Sequence, residues 1–267
     1  GTPADWNLLV RKLAATIRAV DTTHTLVVEF PIFPNVPGGL PPVDDMVNYL
    51  EVIDDPNTVY SVHWYAPGEF THQGVDNLPL GRPYPGVYRN TLFDASLHAR
   101  LLEPVAAFQH RHNVPIYLGE FAAARWAGEA GNLWMRDIAT IAERFGWSWT
   151  YHAFRIGSVW DAEKSNTDRS DEQRYASTPR VEMLRELFQR NSLPAPRLTA
   201  LTNAASFLPG ALAPYTLFSL FGENLGLPEP LAARLNSNGR LSRSLGCAEV
   251  LFNGQPAALL FAGPSQI

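Results

Sequence analysis

Four short runs constrain this chain more than any other feature: "TLVVEF" (25–30), "TVYSVHWY" (58–65), "VPIYLGEF" (114–121) and "WSWTYHAF" (147–154). They are rich in β-branched and aromatic residues and nearly continuously apolar, the pattern of strands covered on both faces. Helical stretches separate them, so the spacing predicts βα units around a parallel sheet. Residues with chemistry to offer collect at the C-terminal ends of the runs, where a (β/α)8 barrel carries its active site. Four strands make half of such a barrel. A doubly wound open sheet is the alternative, and no Gly-rich phosphate loop supports it.

The intervening helices are legible from caps and periodicity. In "GTPADWNLLVRKLAATIRAVD", Thr2 is placed as N-cap, Pro3 at the first helical position and Asp5 as a helpful first-turn carboxylate. Trp6, Leu9, Leu13, Ile17 and Val20 recur at helical spacing and predict one buried face. A long polar and aromatic loop spans 66–93, and a helix follows from about Asp94 to His112, kinked or restarted at Pro104. A further helix is expected over 133–145, with Asn132 as cap, Gly146 as terminator and Trp134, Ile138, Ile141, Ala142 and Phe145 inside. "TPRVEMLRELFQR" closes the series, with Pro179 at its start.

The character then changes. The barrel-like part is read as 1–192, a Pro-containing linker as 193–197 and a small β-sandwich module as 198–267. In that module Asn253-Gly254 between apolar runs is a hairpin signal. All seven tryptophans precede residue 161 and eight of nine tyrosines precede residue 176. A larger core holding more aromatics accounts for that bias; so does a cleft that stacks flat sugar faces. A chain that opens inside a helix cap and stops at "GPSQI" is expected to be part of something longer.

Composition excludes several functions. At 46% hydrophobic and 18% charged residues the chain is core-forming rather than disordered. A net charge of −5 with no basic run argues against nucleic acid or an anionic membrane as partner. No apolar run reaches the roughly 18 residues of a membrane span. Cys247 is the only cysteine, so neither a disulfide framework nor a thiolate metal cluster is available. No metal or other cofactor is expected. His110 and His112, two apart at a helix end, make poor metal ligands. "RIGSVWD" lacks the second glycine of a serine nucleophile elbow.

The chemistry centres on Glu120, a lone carboxylate at the end of an apolar strand. His63 and Tyr65 are two apart on the preceding strand and project to one face. A phenol and an imidazole around a carboxylate favour its ionised form and fix its orientation, as a nucleophile needs. Bland readings stand beside this one. Glu120 could pair with Arg125 or Arg155 as a structural ion pair, His63 could be a hydrogen-bonded core histidine, and His72 a solvated loop residue. Glu29, ending the first strand, is the best second carboxylate, while Glu69 and Asp161 read as loop residues.

Together "VYSVHWYAPGEFTHQG", "VPIYLGEF" and "WSWTYHAF" resemble the second half of a family 5 glycoside hydrolase, the endoglucanase and mannanase group of (β/α)8 barrels. The resemblance covers 1 to about 192 and implies the last four barrel strands. It implies a retaining endo-β-1,4-glycanase acting on a β-linked polysaccharide by double displacement. Glu120 in its "GEF" setting would be the nucleophile and the His-x-Tyr pair, His63 and Tyr65, its support. On the last strand relatives carry a tryptophan under the sugar; "TYHAF" puts His152 there, with Trp149 and Trp160 as further substrate-binding candidates.

One departure matters. The family's acid/base sits in an Asn-Glu-Pro tripeptide ahead of a helix like the opening one, and this sequence has none, so the chain by itself is expected to be inactive. A non-catalytic carbohydrate-binding or surface protein on a degenerate barrel is the other hypothesis. The remaining module resembles an uncharacterised C-terminal domain of secreted acidobacterial proteins, which implies a truncated immunoglobulin-like sandwich, export behind an upstream signal peptide and an extracellular substrate.

Overall fold

The computed structural model describes residues 5–31, 41, 43–190, 195–233, 235, 239–246 and 248–267. Thr2, Pro3, Cys247 and most of the Pro/Gly-rich 31–45 stretch lie outside them, as does the start of the linker. The chain divides into two compact units, Gly1–Glu143 with Trp147–Gln189, and Arg144–Gly146 with Arg190–Ile267.

The first unit is built on one parallel sheet of β1 (Leu26–Glu29), β2 (Thr58–Trp64), β5 (Ile116–Phe121) and β6 (Ser148–Tyr151), in the order β1-β2-β5-β6. Each strand lies beside the next one in the chain. A doubly wound sheet reverses strand order at a switch point, and no reversal occurs among these four. Helix α1 (Trp6–Arg18) leads into β1 and α2 (Val43–Tyr49) joins β1 to β2. The longer β2–β5 connection holds the single turn α3 (Gly68–Thr71), an antiparallel hairpin of β3 (Gly86–Tyr88) and β4 (Thr91–Phe93), and α4 (Ala95–His112). Helix α5 (Gly128–Arg144) joins β5 to β6, and the turn α6 (Gly157–Trp160) and α7 (Pro179–Gln189) follow β6.

The core lies between sheet and helices. Tyr60, Val62, Leu118 and Phe121 from the strands meet Leu102, Val105 and Phe108 of α4, Trp134, Ile138 and Ala142 of α5, and Leu187 of α7, all at most 1% exposed. The face expected of α5 is the buried one. The helix begins earlier than its periodicity suggested, at Gly128, so Asn132 is an interior residue whose amide oxygen accepts from Arg180 Nε at 3.2 Å. Helix α4 passes through Pro104 as one element. Asp94 caps it, accepting from the Leu97 amide, and Asn113 ends it in the left-handed region.

Helix α1 departs from its sequence pattern. Asp5 is the N-cap, accepting from the Leu8 amide at 3.2 Å. The buried residues are Asn7 and Val10, whereas Leu9, Leu13, Ile17 and Val20 are exposed. Asn7 decides the rotation: its amide donates to the Tyr49 carbonyl at 2.8 Å and accepts from the Glu51 amide at 3.0 Å. That pairing turns the leucine stripe outward. The strands are also less uniformly covered than their composition predicts. β2 is buried along most of its length, but edge strand β1 exposes Val27, and β6 exposes Ser148 and Thr150.

In the second unit β7 (Arg197–Asn203) pairs antiparallel with β8 (Phe218–Glu223), so Arg197 belongs to a strand rather than a linker. Three further antiparallel pairs follow: β9 (Leu231–Ala232) with β14 (Phe261–Ala262), β10 (Ser244–Leu245) with β11 (Ala248–Glu249), and β12 (Leu251–Phe252) with β13 (Gln255–Pro256). Their shared core is Leu220, Leu225, Leu231, Leu245, Val250 and Leu259. The β12–β13 turn is the expected hairpin, with Asn253 and Gly254 both at positive φ (50° and 78°). Among the described residues the named strands form two-stranded pairs, and β8 also exchanges main-chain bonds with the last residues, Leu220 with Ile267 and Gly222 with Ser265.

Candidate active site

The site begins with a bulge. β2 and β5 run in register through Val62↔Leu118, and the next pair is His63↔Glu120. Gly119 is the extra residue. A bulge re-aims the side chain that follows it, and here it sets Glu120 opposite His63. Only glycine fits: a Cβ on residue 119 would stand 2.5 Å from the Ser61 hydroxyl and 3.2 Å from His63 Nε2.

Around Glu120 the strand ends converge. The Tyr65 hydroxyl donates to Glu120 Oε2 at 3.0 Å. His63 Nδ1 lies 3.5 Å from the same oxygen, and His152 Nδ1 lies 3.5 Å from Oε1. Burial, and then the Glu120 carboxylate, push the Tyr65 phenol far above its ordinary range, so it is a hydrogen-bond donor at any physiological pH. Neither arginine considered as a structural partner is engaged here. Arg125 is fully buried and bonds loop carbonyls, and Arg155 pairs with Glu163 at 2.6 Å.

The other nitrogen of His63 meets a second acid. Nε2 lies 3.3 Å from Glu29 Oε2, at the end of β1. The bond to Glu29 raises the His63 pKa above its usual value, against the effect of burial, with Glu120 adding to the rise. Burial, the largest single influence, opposes ionisation of Glu29, but the His63 and Ser61 side chains together outweigh it and leave its pKa lowered.

An aromatic cluster stands over the carboxylate. The Tyr65 ring is 5.2 Å from His72 and 6.1 Å from Trp160, and Trp160 is 5.0 Å from His72 and 6.5 Å from His152. Burial lowers the His72 pKa, so at neutral pH it offers a flat uncharged face. Thr71 Oγ1 fixes its ring by a 2.9 Å contact to Nδ1. Trp160 sits on α6, tied back by the Tyr151 hydroxyl, which donates to its carbonyl. Arg125 clamps the same loop: its guanidinium donates to the carbonyls of Ser158 (2.8 Å), Ser165 (2.6 Å), Asp168 (2.6 Å) and Arg169 (2.8 Å).

The structure therefore brings Glu120, His63, Tyr65, His152 and Trp160 together and leaves Trp149 out. Trp149 stacks on Phe188 of α7 (5.4 Å, 19°), meets Phe121 edge-on and donates to Glu143 at 3.3 Å, on the helix-covered side of the sheet. Strand alternation is the reason: residues 150 and 152 take the opposite side from 149. Trp134 is core, donating to the Ala66 carbonyl. The contact of Glu29 with His63 and the part played by Arg125 went unread in the sequence. A lone arginine in the otherwise apolar "FAAARWAG" was the available signal for the second. Among the described residues no group of three or more His, Cys, Asp or Glu side chains could hold a metal ion, and no helix is long and apolar enough to cross a membrane.

Residues 1–156 match the Cellulase family, glycosyl hydrolase family 5. Endoglucanase C of Acetivibrio thermocellus is 25% identical over 195 residues, covering 63% of this chain and 52% of that protein. Endoglucanase H of the same organism is 27% identical over 150 residues, 55% of this chain and 15% of that much longer protein. This chain thus spans about half or less of these relatives. Among solved structures, a hyperthermophilic endo-beta-1,4-glucanase in complex with substrate aligns with a TM-score of 0.51 at 25% identity, over 68% of this chain and 54% of that one. A Thermotoga maritima Cel5A mutant in complex with cellobiose shares the fold at a TM-score of 0.53 and 24% identity, over 70% and 54%.

Proposed function

Because the chain belongs to the cellulase family, glycosyl hydrolase family 5, we propose that its parallel sheet carries the attacking half of a retaining β-glycan hydrolase. Glu120 is the nucleophile. Tyr65 holds Oε2, which leaves Oε1 the freer oxygen to bond the anomeric carbon as the C1–O glycosidic bond breaks and the leaving oxygen takes the electron pair. Water then bonds C1 as the C1–Oε1 ester bond breaks and Glu120 returns as a carboxylate; the proton the water loses balances the one the departed oxygen takes up from solvent. His63 and Tyr65 orient the carboxylate, and Trp160, with Tyr65, His72 and His152 around it, provides ring faces for a pyranose. The observation that carries the reading is the 3.0 Å bond from Tyr65 to Glu120 at the mouth of a parallel sheet.

The substrate class is a β-1,4-glucan, in keeping with the endoglucanase relatives, and an extracellular polysaccharide implies an exported protein. Retention also needs a proton donor roughly 5–5.5 Å from the nucleophile. Glu29 does not meet that need, since the His63 ring stands between the two carboxylates. The same fact favours the second reading, a site that binds glycan without turning it over.

An activated substrate separates the two. 2,4-Dinitrophenyl 2-deoxy-2-fluoro-β-cellobioside has a leaving group that departs as the phenolate and needs no acid. Mass spectrometry is expected to find one glycosyl group on the peptide holding Glu120, none in Glu120→Gln, and no release of sugar from carboxymethyl-cellulose. Saturable sugar binding with no labelling would establish the binding reading instead.

A further inference from the structure

His63 sits between two acids. Its Nε2 faces Glu29 Oε2 at 3.3 Å and its Nδ1 faces Glu120 Oε2 at 3.5 Å. A neutral imidazole carries one N–H and can satisfy one acceptor; the second nitrogen would then present a lone pair to a carboxylate. Only the doubly protonated ring suits both. The backbone that carries Glu29 is held in place. Glu29 is fixed in register opposite Ser61, and its carbonyl accepts from the Trp6 indole at 2.9 Å. Gly119 leaves the room in which the ring lies.

The geometry points to Glu29 as a positioning residue that holds His63 as an imidazolium and so keeps a cation beside Glu120. Glu29 touches no reacting atom. Its effect on catalysis rests on the nucleophile reading above, whereas its effect on the charge of His63 does not. Before attack the three groups carry a net charge of −1, two carboxylates and one cation. When Glu120 becomes a glycosyl ester its charge is lost, and the His63–Glu29 pair is left as a neutral unit. No proton has to leave the site, so the cation remains to stabilise the carboxylate as water releases the sugar. Without Glu29 the ring has one anionic partner, and that partner disappears during the reaction.

The charged groups facing the ring are Glu29 from β1 and Glu120 from β5. The other titratable neighbours, Tyr65 and His152, meet Glu120 instead. The sign follows: a carboxylate on each side keeps the proton on His63 to higher pH, so the cation persists through neutrality and is lost on the alkaline side.

Long-range 1H–15N spectra of the imidazoles in the 267-residue chain read this directly, with the His63 signals assigned by their loss in His63→Asn. Wild-type His63 is expected to titrate above 6.5, and Glu29→Gln to lower its midpoint by about one unit. Glu29→Asp, which keeps the charge on a shorter arm, should fall between them. The rate of Glu120 labelling should lose its alkaline limb at lower pH in Glu29→Gln than in wild type. A wild-type midpoint at or below 6.5, an unmoved midpoint in Glu29→Gln, or an equal shift in Glu29→Asp would overturn the inference. Absence of labelling in every variant, with the His63 shift intact, would instead count against Glu120 as nucleophile.

Discussion

At residue 119 there is no space for a methyl group, and the geometry around Glu120 depends on that. A side chain there would force Ser61 and the His63 ring apart and undo the pairing that sets His63 opposite Glu120. Tyr65 is the other fixed point. Its phenol makes a 3.0 Å bond to a carboxylate that is one-third exposed. Hydrogen bonds to a charged group contribute roughly 1.5–3 kcal/mol, so Tyr65→Phe should slow glycosylation of Glu120 by about 10- to 100-fold. Stopped-flow release of dinitrophenolate measures it. An unaltered rate would mean that the phenol neither aims nor stabilises the carboxylate. Glu120, His63 and Tyr65 were legible because period-two alternation puts 63 and 65 on one face. Trp149 was misread because a tryptophan near a strand end attracts notice whichever side it takes.

Among the elements, the loop after β6 is held by one buried cation. The Arg125 guanidinium has no exposed surface and every donor is used, four of its bonds going to main-chain carbonyls between Ser158 and Arg169. Arg125→Met keeps the volume and strands those acceptors. Losing a buried charged donor of this kind costs about 3 kcal/mol or more, roughly 6–12 °C in Tm for a unit of this size. Trp160 would lose its anchorage with it. A melting curve superimposable on wild type would show that the carbonyls find water at no cost. Helix α1 gives the opposite lesson. Its hydrophobic stripe was real, but Asn7, which donates to the Tyr49 carbonyl and accepts from the Glu51 amide, is buried with Val10 while the stripe faces outward. Periodicity measures what a helix could bury, and a specific polar contact decides what it does.

For the molecule as a whole, apolar surface remains uncovered among the described residues. β1 and β6 each pair on one side only. Val27 of β1 is 53% exposed, and Leu8, Leu9, Leu13 and Ile17 of α1 are each at least 40% exposed. Unpaired strand edges and contiguous apolar patches drive association. Light scattering on the purified chain should therefore show concentration-dependent self-association, weakened by Leu9→Lys with Leu13→Lys. A monodisperse monomer at high concentration would refute this. The sequence by itself determined the parallel βα order, the core face of α5, the Asn253-Gly254 hairpin and the identity of the carboxylate at the strand end. Those follow from local periodicity, capping and turn chemistry, which act over a few residues. Tertiary structure alone decided that Glu29 meets His63 across 34 residues, that Arg125 reaches the loop beyond Ser158, and that Asn7 turns its helix. Each is a long-range polar contact, and no periodicity within the chain encodes the partner.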